Sequence, residues 1–292
     1  MAPVLADMTG ASPTAATPRQ PPRLLSRFGS LMRMSVVPHS GVGLDISGET
    51  VHVVQVRRRG GEFRVVRSAS VPVERAEEGG GRLALIEAIR RAVGEAGVKT
   101  RKVAVSLPGD PAECGVRSYP AMPASEMEAV IRREGVQHFG ETVAWDYLVL
   151  PGKAGGEQRV IVAFAGGGEV DACIQLVREA GLVPAAICVP HIALLEVMDR
   201  DAVDGSCVAL LHLRRNAFTI SILDDGRPVL MRRIKVDPAS DVAPGYLVEE
   251  INRTFLYFKQ QSRGRRVTRV MHHGVPDELG EVLARDLNVT VE

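Results

Sequence analysis

The sequence predicts a mixed α/β protein built from two similar halves. An apolar run of three strands over 41–71 is followed by an amphipathic helix at 82–96. The same layout returns as strands at 206–213, 217–223 and 227–236, followed by a helix at 245–261. Two copies of meander-then-helix suggest an internal duplication, and 292 residues are enough to bury a substantial core.

Each element follows from its pattern. Strands at 41–46, 51–57 and 62–71 are separated by turns at Ser47-Gly48 and Gly60-Gly61. Helix 82–96 places Ile86, Ile89, Val93 and Ala96 on one face. Strands at 102–107 and 114–119 flank a Pro-Gly turn. Pro123-Ala124-Ser125-Glu126-Met127-Glu128 reads as a helix start with Ser125 as N-cap and Glu128 closing a capping box, the helix running to His138. Strands at 143–150 and 158–165, a helix at 169–180 stopped by Gly181, strand 184–189 and a helix at 191–199 complete the first section. In the second, Asp225-Gly226 makes the hairpin turn. Leu247, Ile251, Phe255 and Phe258 form the stripe of helix 245–261, and strand 267–271 and helix 277–286 follow.

Composition narrows function. A formal charge of +1 gives no field favouring nucleic acid. No apolar run reaches the length of a membrane span, and no secretory signal is visible. Cys114, Cys173, Cys188 and Cys207 are widely spaced without a CxxC, as expected of reduced core cysteines in a cytoplasmic protein rather than a zinc site. Residues 1–22, rich in Ala, Thr and Pro, cannot bury a core. Residues 23–34 place Leu24, Leu25, Phe28, Leu31 and Met32 at helical spacing beside Arg23, Arg27 and Arg33. The pattern implies a short helix docked on its own domain or fraying in solution, or a weak membrane-surface or partner contact, and an organelle transit peptide would have a similar composition.

The residues that carry chemistry are few. Asp45 ends an apolar strand beside the turn Ser47, Gly48 and Thr50. Turn amides cradle phosphate and an Asp beside them holds a metal through water, while the same residues also serve turn geometry alone. Arg214, Arg215 and Asn216 occupy the matching turn of the second half, where guanidinium groups suit either phosphate or solvent. His212 reads as a structural histidine at a strand end. His272 and His273 lack further metal ligands nearby. No nucleophile–base–acid set stands out.

Val42-Gly43-Leu44-Asp45-Ile46-Ser47 is similar to the opening phosphate hairpin of the PilM family of type IV pilus assembly proteins, and more distantly of FtsA. The resemblance runs from Gly41 to Glu292. Ser118 to Pro123, Ser125-Glu126-Met127 and Trp145-Asp146-Tyr147 resemble that family's inserted small domain. Ile161 to Ala165 and Ala180 to Pro184 resemble its second half, and Val248 to Phe258 its long helix before the adenosine loop. The resemblance implies an actin-like (ribonuclease H-like) duplicated fold with an inserted small α+β domain. The implied divisions are a tail at 1–40, a first subdomain at 41–98, the insertion at 99–183, a return at 184–204 and a second subdomain at 205–292.

This chain departs from the family pattern. The second hairpin, His212-Leu213-Arg214-Arg215-Asn216, lacks the family's Asp and Gly. His52 stands where Lys is frequent. The adenosine loop His272-His273-Gly274-Val275-Pro276 keeps one glycine, and few residues separate Asp237 from Gly245, where the family inserts a helical subdomain. ATP and Mg, if held, would use Asp45, Ser47, Gly48, Thr50, Arg214, Arg215, Asn216 and Gly274. The departures favour a scaffold that has lost ATP hydrolysis. The family's groove takes the cytoplasmic N-terminus of a PilN-like inner-membrane protein. Here strand 114–120, helix 125–138 and part of helix 82–96 would form it, with Val116, Met127, Val130 and Ile131 as lining. The expectation is a cytoplasmic component, peripheral at the inner membrane, of a type IV pilus or type II secretion-like platform. The alternatives are an active ATP-binding member and an actin-like small-molecule kinase.

Overall fold

The computed structural model describes residues 40–292 apart from 48, 60–61, 75–79, 109–110, 152–155, 198–204, 215–216 and 237–243. The readings for residues 1–39, Gly48, Arg215, Asn216 and the segment after Asp237 lie outside the described residues.

Strands β1 (Ser40–Ile46), β2 (Thr50–Arg59) and β3 (Glu62–Pro72) form an antiparallel meander. Helix α1 (Gly81–Ala96) packs across it through Ile86, Ile89 and Ala92, and Gly97 closes the helix in the left-handed conformation at φ 63°. Strand β4 (Lys102–Ser106) runs parallel to β1, and β8 (Val183–Cys188) runs parallel to β4, giving a sheet of order β3-β2-β1-β4-β8.

Between β4 and β8 the chain makes a smaller unit. Strands β5 (Glu113–Pro120), β6 (Ala144–Val149) and β7 (Glu157–Ala165) form an antiparallel sheet of order β5-β7-β6. Strand alternation gives β7 two buried faces. Ile161, Ala163 and Ala165 join the main core, while Val160, Val162 and Phe164 meet Met127 and Ile131 of helix α2 (Ala124–Phe139). Helix α3 (Gly167–Glu179) returns to the first sheet, burying Val170, Cys173 and Val177 in the main core. Helix α4 (Pro190–Val197) follows β8.

The second half repeats the order. Strands β9 (Cys207–Arg214), β10 (Ala217–Asp224) and β11 (Arg227–Lys235) form the meander, turned by Asp225 and Gly226 at φ 55° and 66°. Helix α5 (Pro244–Gln261) buries Leu247, Ile251 and Phe258. Strand β12 (Arg269–His273), helix α6 (Asp277–Leu287) and β13 (Thr290–Val291) complete a sheet of order β11-β10-β9-β12-β13, equivalent to the first. Cys207, Ala209 and Leu211 face α5 and α6, whereas Val208 and Leu210 join the core of the first half. Apolar packing is therefore continuous between the halves.

Two expectations change. The small unit is confined to β5–β7 and α2 rather than spanning 99–183. Val103 and Val105 of β4 are fully buried in the first sheet, and α3 packs on the same core. The stretch 161–165 lies in β7 of the small sheet, and Val183 and Pro184 open β8 of the first sheet. Finally, Ser125 does not cap α2. Pro123 holds the N-cap position in extended geometry, its carbonyl accepts from the Met127 amide at 3.1 Å, and Ser125 is exposed inside the first turn.

Candidate functional site

The parallel strands of both sheets end at a common junction, the edge where open α/β folds present ligand sites. Asp45 lies one residue from the end of β1, opposite His52. The turn after it is closed by its own residues: the Ser47 hydroxyl donates to the Thr50 carbonyl at 2.9 Å, and the Thr50 amide donates to Ser47 Oγ at 3.1 Å. His52 Nδ1 lies 2.8 Å from Ser70 Oγ.

The Asp45 carboxylate is engaged twice. It accepts from the hydroxyl of buried Ser106 at the end of β4. It also accepts from Arg214 Nη1, at 3.2 Å to Oδ1 and 3.4 Å to Oδ2. Arg214 ends β9, so this bridge crosses from one half to the other, and its side chain is only 13% exposed. The acid of the first hairpin and the cation of the second thus meet each other.

Beneath the pair lie two buried imidazoles. His212 of β9 sits beside His273 of β12, ring centres 5.4 Å apart. Burial, reinforced by Arg214 and His273 and opposed by Asp45, lowers its pKa to about 4. His191, in the first turn of α4, is 1% exposed, and neither ring nitrogen has a hydrogen-bond partner among the described residues. Burial first, then His212, Arg233 and Arg214, pushes its pKa down to about 3. Cys188 at the end of β8 donates to the Val105 carbonyl at 3.3 Å, and burial raises its thiol to about 12, so it stays protonated. Sequence reasoning singled out Asp45, His212 and Arg214 separately. It missed His191 and Ser106, which no local pattern marks.

Gly274, the remaining glycine of the loop after β12, has a packing role. At φ 72° its backbone lies so close to β9 that a Cβ would stand 2.4 Å from the Leu213 carbonyl oxygen. Among the described residues no group of three or more His, Cys, Asp or Glu side chains could hold a metal.

A second concavity lies where the edge of β5 approaches β11. This pocket of about 160 Å³ has Val162 and Phe164 as its apolar surface, Glu113, Cys114, Gly115 and Arg117 along β5, and Arg233 and Lys235 from β11. Glu134 of α2 ties the helix to the strand. It accepts from Arg117 Nε at 3.1 Å and from the Tyr119 hydroxyl at 2.6 Å. Of the expected groove residues, Val130 is half-buried on α2, one turn before Glu134. Met127 and Ile131 are fully buried in the core beneath the helix, and Val116 points to the opposite face of β5, packed on the main core. Arg117, Arg233 and Lys235 were not anticipated. The alternation of Gly115 and Arg117 on one strand face is the only local hint.

The family described as type IV pilus assembly protein PilM matches residues 43–236. The chain belongs to the PilM family. Among solved structures, this PilM-family chain is similar to a PilM–PilN type IV pilus biogenesis complex, with a TM-score of 0.73 and 20% identity over 86% of this chain and 87% of that one. It is also similar to a Bacteroides thetaiotaomicron protein with an actin-like ATPase fold, with a TM-score of 0.52 and 11% identity over 87% and 90% of the two chains. The fold is therefore actin-like. No curated protein matches the chain. Among the described residues no helix is long and apolar enough to cross a membrane.

Proposed function

We propose that this PilM-family protein is a cytoplasmic scaffold of a type IV pilus or type II secretion-like inner-membrane platform. It binds the N-terminal cytoplasmic peptide of a PilN-like membrane protein and does not hydrolyse ATP. Equivalent strand order in the two sheets supports reading the halves as copies of one unit, with β5–β7 and α2 inserted into the first.

The pocket beside β5 carries the partner reading. An extended peptide can pair with a strand edge and seat an apolar side chain against Val162 and Phe164, while Arg117, Arg233 and Lys235 outnumber Glu113 and give the rim a net positive charge. The solved PilM–PilN complex lends this partner its identity.

The residues at the junction do not fit a Mg-nucleotide. The carboxylate expected to organise the metal already accepts from Ser106 and Arg214. The second hairpin brings a bulky cation where close backbone approach to phosphate favours glycine. The Gly274 backbone is turned against Leu213. We therefore read the junction as a tie between the halves rather than a catalytic cleft.

The test is calorimetric titration of the N-terminal peptide from the PilN-like protein encoded nearby. Wild type should bind, and Gly115→Val should bind at least about thirtyfold more weakly, the loss of one buried anchor. The atoms nearest a Cβ at 115 belong to the flexible end of Arg117, so the variant should fold, and its thermal melt checks that. Val130→Asp, on the half-buried face of α2, should act in the same direction. No binding by folded wild type at high micromolar peptide would sink the reading and reopen the kinase alternative.

A further inference from the structure

The far end of the β2–β3 hairpin has a composition that neither the junction nor the pocket uses. Residues 57–67 carry Arg57, Arg58, Arg59, Arg64 and Arg67 against a single acid, Glu62. All six are exposed. Phe63 and Val65 are exposed too, at 51% and 64%. Register sorts them. Arg58 pairs with Phe63 and Val56 with Val65, so these four share the face turned away from α1, while Arg57 and Arg64 share the other. Glu62 lies 3.5 Å from Arg64, and Arg67 Nη1 donates to the Ala96 carbonyl at 3.5 Å. β3 is also the edge strand of its sheet.

We propose that this hairpin end docks on an anionic lipid bilayer, with Phe63 and Val65 entering the interface and the arginines among the headgroups. Charge complementarity selects that occupant. Pairing with β3 of a second copy would set an arginine-rich edge against itself, which like-charge repulsion disfavours. Docking of this chain's own residues 23–34 meets the same objection. Arg23, Arg27 and Arg33 carry the same sign, and no acid lies between Met8 and Leu44. Position makes the two basic stretches allies instead. Ser40, where the described chain begins, pairs with Arg57, which pairs with Arg64, so the first described residue lies at the arginine-rich end of the sheet. A short apolar segment alone gives marginal membrane affinity, and stable attachment takes a second signal. The hairpin is that second signal.

The test uses the full chain in flotation with phosphatidylglycerol/phosphatidylcholine vesicles and with phosphatidylcholine vesicles alone. Wild type should float with the anionic vesicles only. Each arginine beside an anionic surface multiplies partitioning roughly fivefold, so Arg58→Glu with Arg64→Glu should lower it by at least about 25-fold. Phe63→Ser should lower it several-fold while leaving the melting curve unchanged. A Phe63→Trp variant, read against the wild type with Trp145 alone, should shift its emission to the blue on anionic vesicles. Wild-type flotation by the charge-reversed variant would assign all affinity to the segment before Ser40 and overturn the proposal. Flotation on neutral vesicles alone, no flotation at all, an unshifted emission spectrum of the Phe63→Trp variant, or a dimer that Phe63→Ser dissolves without changing flotation would overturn it equally.

Discussion

Replacing Gly274 with valine should destabilise the second half by on the order of 3–5 kcal/mol, the range in which single changes combine backbone strain with overpacking. Two effects add. At φ 72° a β-branched residue occupies a conformation that L side chains rarely adopt. Its Cβ would also lie 2.4 Å from the Leu213 carbonyl oxygen, which is main chain and moves only if β9 moves. Leu213 precedes Arg214, so a shift there also displaces the partner of Asp45. Gly280→Ala is the matched control. It sits within α6 at an ordinary φ, its Cβ would meet Val291 at 3.5 Å, and helix propensity favours alanine. Urea melts should show a strongly lowered midpoint for Gly274→Val and an unchanged or raised one for Gly280→Ala. A wild-type midpoint for Gly274→Val would remove the packing explanation for that glycine.

Acid should be nearly as damaging. His191 and His212 are buried and neutral, with folded pKa values lowered to about 3 and about 4. In the unfolded chain each titrates near 6.5. Between those values the unfolded state binds the extra protons, so stability is complete above pH 6.5 and declines as pH falls through the window. Each imidazole contributes about 1.4 kcal/mol per pH unit, so two of them over two units cost on the order of 5 kcal/mol. Arg214, Arg233 and His273 oppose protonation, while Asp45 eases it at His212. His191→Leu should remove one proton from the linkage and roughly halve the slope of stability against pH between 6 and 4.5. An unchanged slope would show that these imidazoles do not govern acid unfolding.

Much of this fold was legible because strands and helices advertise their periods. The alternation in Ile161 to Ala165 and in Cys207 to Leu211 serves two buried faces, and the stripe Leu247, Ile251 and Phe258 fixes α5. What alternation does not say is which sheet a strand joins. β4 reads the same whether it belongs to the insertion or pairs with β1, and only the parallel register places it. β13 has two residues, too few for any period. At the junction, Asp45 and Arg214 were each visible as turn residues, but their contact spans 169 positions and depends on how the two sheets meet. His191 was silent because a histidine at the start of a short apolar helix looks like many others. In the groove, helical spacing put Met127 and Ile131 together correctly but could not tell an inner face from an outer one.

The tie between Asp45 and Arg214 separates a scaffold from an ATP-driven machine, and one measurement addresses it directly. Mg-ATP is titrated calorimetrically into the full-length protein, with Asp45→Ala alongside and phosphate release followed in the same samples. A junction closed by its own carboxylate and guanidinium predicts no saturable heat into the high micromolar range and no turnover by either protein. A micromolar dissociation constant for wild type that Asp45→Ala abolishes, or steady phosphate release, would contradict it and make the junction a working nucleotide site.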